Sequence, residues 1–149
     1  MYQFVLANLL ANNRDCLGVL FLDASGETVD MACAGLGPYE MRVLGAYLGI
    51  YLRQLEKVLA GSRLGPPLLV HIEESAAHIY AVPLPDGYYL ALVQRQPALV
   101  ARTRASLEEA VRQLTRELFP DAAERPERSA AAGAAGAMAA GGYDSGHGS

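Results

Sequence analysis

The chain has 149 residues, 52% of them hydrophobic, and a formal net charge of −4 from 12 basic and 16 acidic residues. That length suits one domain with a substantial core, and the mild acidity argues against a nucleic-acid-binding protein, which needs a basic face. No apolar stretch is long enough to span a bilayer, the start Met1-Tyr2-Gln3-Phe4 lacks the basic residues of a signal peptide, and Cys16 and Cys33 alone make no disulfide framework, so the sequence predicts a cytoplasmic protein with reduced thiols and no membrane insertion.

The first predicted element is a short amphipathic helix over Tyr2 to Ala11, carrying Phe4, Val5, Leu6, Leu9 and Leu10 and stopping at Asn12-Asn13. Leu17 to Asp23 reads as a wholly apolar strand, followed by a tight turn at Asp23-Ala24-Ser25-Gly26. A strand apolar on both sides must be covered on both faces. Thr28 to Cys33 alternates Val29, Met31 and Cys33 with Thr28, Asp30 and Ala32, which places this second strand toward a sheet edge. Gly35, Gly37 and Pro38 then announce a long helix from about Pro38 to Ala60, ended by Gly61. Its expected buried stripe is Met41, Leu44, Leu48, Tyr51, Leu55 and Val58.

After the Gly65-Pro66-Pro67 break come strands at about Leu68 to Glu74, His78 to Pro83 and Tyr88 to Gln94, the last again apolar on both sides. Pro97 opens the final helix, which ends near Leu118 with a stripe of Val100, Thr103, Leu107, Val111, Leu114 and Leu118. Composition changes after Phe119. Ser129 to Ser149 is almost only Ala, Gly and Ser, with Met138, Tyr143, Asp144 and His147, and too little apolar area to offset ordering entropy. The expected division is a folded domain over residues 1–119 and a disordered tail over 120–149.

The order helix, strand, strand, helix, three strands, helix resembles the Roadblock/dynein light chain family. The Leu17–Asp23 strand, the Asp23-Ala24-Ser25-Gly26 turn, the Val29–Ala32 strand and the Leu68–Val93 meander carry the resemblance. It implies an α/β sandwich with a five-stranded antiparallel sheet, strands one and five central, the long helix on one face and the terminal helices on the other. It also implies a bacterial roadblock-like scaffold without an active site of its own. Such proteins dimerise through strand three and antiparallel middle helices and present those helices to a small Ras-like GTPase, modulating its hydrolysis or polar localisation. Adaptors of this family also pair with another roadblock-like chain in signalling or motor complexes.

The expected partner face is the side of the middle helix opposite its buried stripe. Arg42, Val43, Ala46, Tyr47, Gly49, Ile50 and Arg53 are its candidate GTPase-binding residues. Gly45 and Gly49 lie four apart in a helix interior, where glycine costs about 0.5–1 kcal/mol relative to alanine. Two readings explain them: an outside partner approaching closely, or the helix sitting tight on its own sheet. The apolar outer residues, which need a cover, favour the first. For the dimer, Val70, His71 and Ile72 form a strand with nothing to protect it as an edge before Glu73 and Glu74.

Catalytic and metal chemistry find little support. His71 and His78 lie on different predicted strands, His147 is in the tail, and no zinc-ligand spacing occurs, so no metal or cofactor is expected. Glu73 and Glu74 are adjacent and point to opposite faces of a strand. Gly35-Leu36-Gly37 lacks the lysine of a phosphate-binding loop and reads as a helix entry. Cys16 reads as a small core residue. The competing function, a small-molecule sensor using a cleft near Gly35–Tyr39, would need convergent polar groups that the sequence does not supply.

Overall fold

The computed structural model describes residues 2–95 and 100–123. The opening of the last helix at Pro97 and nearly all of the expected tail lie outside the described residues. Helix α1 spans Tyr2–Asn12 and is closed by Asn13, whose side-chain amide donates to the Leu9 carbonyl at 2.8 Å. This satisfies one of the carbonyls that a helix end leaves open. Strands β1 (Cys16–Leu22) and β2 (Thr28–Cys33) follow, joined by the expected turn. The Asp23 carboxylate organises that turn: Oδ1 accepts from Ser25 N, Ser25 Oγ and Glu27 N at 2.9, 2.6 and 2.9 Å. Those bonds, the Ser25 hydroxyl first, hold the Asp23 carboxyl below its ordinary range.

Helix α2 runs over Pro38–Ala60, with Pro38 in its first turn and Gly61 at its end. Strands β3 (Val70–Glu73), β4 (Ala77–Pro83) and β5 (Tyr89–Arg95) form the meander, and α3 spans Val100–Leu118. Strand β3 starts two residues later than expected. Pro67 has no N–H to give a ladder, and Leu68 is left exposed. One helical turn, α4 (Pro120–Ala123), continues past the expected domain boundary, with Ala122 N donating to Phe119 O at 3.1 Å.

The sheet order is β2-β1-β5-β4-β3, antiparallel throughout. Alternation along the inner strands divides the core into two layers. Val19, Phe21, Tyr80, Leu90 and Leu92 meet Val5, Leu6 and Leu9 of α1 and Leu107, Ala110 and Leu114 of α3. Leu20, Leu22, Ile79, Ala81, Ala91 and Val93 meet Met41, Leu48 and Leu52 of α2. Strands apolar on both sides are thus the ones covered twice, and β2 and β3 are the edges.

The seat of α2 departs from the expected stripe. Tyr51 and Val58 face outward, at 50% and 74% exposure, while Gly45, Gly49 and Leu52 face the sheet. The reason is close approach. A Cβ on Gly49 would lie 2.7 Å from the Gly26 Cα in the β1–β2 turn, and one on Gly45 would touch Leu20, Leu22 and Thr28. Gly26 itself sits at φ 88°, a left-handed conformation suited to glycine. The cross-strand pair Ala81 and Ala91 is equally small on the face that α2 covers. Small residues on both surfaces set the helix low, and this fixes which of its sides turns outward.

Candidate interaction face and edge

Rotating α2 onto its glycines leaves a second apolar stripe outside. Tyr39, Val43, Tyr47 and Tyr51 recur every four residues, with Ile50 beside them and Val58 further along, all exposed. Of the residues expected on the partner face, Arg42, Val43, Ala46, Tyr47, Ile50 and Arg53 are exposed. Gly49 is a correction. It is buried against Gly26, so it serves the contact of helix and turn and offers nothing to an outside partner. Arg53 lies back along the helix, its Nε donating to Gly49 O at 3.4 Å and a terminal nitrogen near Gly26. Tyr51 and Val58 belong to the outer face although their spacing also fits the inner stripe. The four-residue recurrence from Tyr39 to Tyr51 is the signal that identifies Tyr51.

Among the described residues the outer side of β3 is bare. Among those residues its ladder is with β4 alone, through Val70↔Ala81, His71↔Tyr80, Ile72↔Ile79 and Glu73↔His78. Val70 and Ile72 are half-buried and pack into the α2 layer, whereas His71 is exposed on the opposite face. The backbone of Val70 to Ile72, more than its side chains, is what this edge presents.

The histidines are a second correction. Different strands do not separate them, because β3 and β4 are neighbours. His71 Nε2 lies 2.8 Å from His78 Nδ1, and the His71 ring stacks on Tyr80 with centroids 4.4 Å apart. His78 and Tyr80 are buried. The Tyr80 hydroxyl has no hydrogen-bond partner among the described residues, and burial, with the Glu73 charge second, raises its pKa. On the same face the Thr103 hydroxyl donates to Gln94 Oε1 at 2.6 Å, and Gln94 Nε2 donates to Arg14 O at 2.9 Å.

The remaining chemical groups are structural. Cys16 is a buried free thiol pushed up to about 11 by burial, so it is a poor nucleophile. Two grooves, of about 340 and 610 Å³, lie between α1 and α3 and beneath the C-terminal end of α2. Residues 35–39 line neither. The larger groove is walled by Leu59, Pro66, Leu68 and Leu84, with the Glu56 carboxylate accepting a hydrogen bond from the Tyr89 phenol, which α2 burial helps to hold protonated. Among the described residues, no helix is long and apolar enough to cross a membrane.

This five-stranded antiparallel sheet between one long helix and the terminal helices is the fold of the roadblock/LC7 domain proteins. A Roadblock/LC7 domain from Streptomyces avermitilis superposes with a TM-score of 0.69 at 14% identity, covering 78% of this chain and 96% of that one. Myxococcus xanthus MglB superposes at 0.70 and 12% identity, over 77% and 92% of the two chains. MglC from the same organism superposes at 0.58 and 17% identity, over 78% and 98%. No protein-family model and no curated protein matches the sequence.

Proposed function

We propose that this chain is a non-enzymatic regulatory scaffold that pairs with a second copy along β3 and α2 and docks a small Ras-like GTPase on the outer face of α2. The observation that carries the reading is the exposed apolar stripe of Val43, Tyr47, Ile50 and Tyr51. An exposed apolar patch of this kind rimmed by charged residues marks an interaction surface. Arg42, Arg53 and Lys57 provide the rim. The roadblock fold and the resemblance to Roadblock/dynein light chain proteins supply the class of partner. The bare β3 edge supports strand addition by a second copy, which would extend the sheet through backbone hydrogen bonds.

The test is a titration of the wild-type chain and Ile50→Asp against the small Ras-like GTPase of its own host, in both nucleotide states. Wild type binds, and Ile50→Asp does not, because the substitution buries an unpaired charge in the contact. Equal binding by the two proteins would exclude the α2 face. Light scattering checks the pairing separately. The wild-type chain gives twice the monomer mass, and Ile72→Pro, which opposes strand addition at an edge, lowers it.

A further inference from the structure

We propose that the groove beneath the C-terminal end of α2 binds a small organic amine, a molecule with a cationic head and an apolar body, and that the Glu56 carboxylate is its anchor. The groove encloses about 610 Å³, within the roughly 300–1,000 Å³ typical of small-molecule sites. Leu59, Pro66, Pro67, Leu68, Pro83 and Leu84 give it apolar walls. Among the described residues Glu56 is the one charged side chain that lines it, and no lysine or arginine does. An apolar cleft with a single negative group selects a ligand of complementary make-up. The body takes the place of water on the walls, and the head meets the carboxylate in a charge-assisted hydrogen bond.

The carboxylate is held for that task. Glu56 follows the buried Leu52 by one helical turn, which places it on the sheet-facing side of α2, and it is half-buried. The Tyr89 phenol, at the start of β5, donates to Glu56 Oε1. Burial, with this hydrogen bond second, raises the Tyr89 pKa and keeps the phenol a donor. The bond orients the carboxylate without exhausting it, because the two oxygens of such a group offer about four acceptor sites. The rest remain for an ammonium, in surroundings where a hydrogen bond is stronger than in water.

The walls are formed before a ligand arrives. Ser62 closes the end of α2, its backbone N and its Oγ donating to the Leu59 carbonyl at 2.9 and 2.8 Å. Pro66 and Pro67 then fix the backbone of the segment that follows. In the other lining segment Leu84 N donates to Tyr88 O at 2.8 Å and closes the turn that carries Leu84 and Gly87. A preorganised site loses little freedom on binding. Neither the apolar outer stripe of α2 nor β3 contributes a lining residue, so the groove is separate from the surfaces invoked in the proposed function.

The test is an NMR titration of the full chain at neutral pH with phenethylamine, followed through the leucine methyl signals, with phenethyl alcohol and phenylpropionate as the neutral and anionic counterparts. The amine is expected to shift the Leu59, Leu68 and Leu84 methyl groups together and to saturate at one ligand per chain. The alcohol binds about tenfold more weakly, and the anion does not bind. Glu56→Gln keeps an acceptor for Tyr89, removes the charge and weakens the amine about tenfold. Leu68→Lys, at an exposed position, sets a competing ammonium at the wall and weakens the amine as well, which decides the matter even if Glu56→Gln fails to fold. Ile50→Asp, on the outer face of α2, leaves the affinity unchanged, so loss of this site and loss of GTPase docking are read apart. Equal affinity for amine and anion, no saturable shift, shifts that miss these leucines, or wild-type affinity in either folded groove variant would overturn the proposal.

Discussion

Helices α2 and α3 cover opposite faces of one sheet with equally buried inner sides, but their outer sides differ. On α3 the solvent side is a charged ladder. Arg104 pairs with Glu108 at 3.3 Å, and Glu109 is gripped by Arg112 at 2.7 Å and approached by Arg116 at 4.0 Å. On α2 the corresponding side carries Tyr39, Val43, Tyr47, Ile50 and Tyr51. Exposed ion pairs at helical spacing contribute little to stability and suit a surface meant to stay wet. An apolar row in the same position lowers solubility and contributes nothing to the core. The inward sides explain how each helix holds the sheet, and only the outward sides distinguish the two helices, one charged and the other apolar.

The inward likeness can be broken first. Leu52→Ala on α2 and Leu107→Ala on α3 each remove a side chain that is at most 1% exposed. Each should cost about 2–5 kcal/mol in chemical denaturation. A much smaller loss at Leu52 would show that α2 is held mainly by its glycine contact. Gly49→Ala probes that contact directly. The new methyl group meets the Gly26 backbone, which cannot move aside as a side chain could. Overpacking of this kind costs about 1–3 kcal/mol, opposed by about 0.5–1 kcal/mol of improved helix propensity, so a net loss of stability is expected and a gain would contradict the close packing.

The outward difference is sharpened by making one substitution twice. Ala46→Glu on α2 and Ala105→Glu on α3 are both at exposed positions. Each should change stability by no more than about 0.5 kcal/mol. Under the proposed function only Ala46→Glu removes GTPase binding in a titration. The smallest effect concerns the α3 ladder. Hydrogen bonds from Arg112, then Gln113, hold the Glu109 carboxyl below its ordinary range. A carboxyl lowered in the folded state stabilises it above the ordinary carboxylate pKa, and the contribution is lost as pH falls through the depressed value. An NMR titration should show Glu109 titrating low in wild type and moving upward, toward the ordinary range, in Arg112→Ala.

The fold was legible because its strongest patterns are one-dimensional. Leu17 to Leu22 and Tyr89 to Val93 are apolar without alternation, which already requires a doubly covered sheet. Pro38 and Gly61 bracket α2 at the bounds seen in the structure. The phase of α2 was not legible. A helix apolar on two sides satisfies two stripes, and the choice was made by Gly45 and Gly49, which have no side chain to enter a hydrophobic pattern. The meeting of His71 with His78 depends on the register set by the turn between Glu73 and Ala77, and the bond between Gln94 and Thr103 joins strand β5 to helix α3. Contacts fixed by register or by the packing of separate elements leave little trace in local spacing. The outward row of α2 was legible to the extent that its residues are apolar where solvent is expected.

The sequence has no tryptophan and eight tyrosines. Three of them, Tyr39, Tyr47 and Tyr51, stand on the outer side of α2 at 78%, 71% and 50% exposure. Any partner that covers this helix therefore changes the surroundings of three of the chain's eight natural fluorophores. Near-ultraviolet tyrosine emission becomes a label-free reporter of occupancy at this face, provided the partner's own tyrosine and tryptophan signals are subtracted.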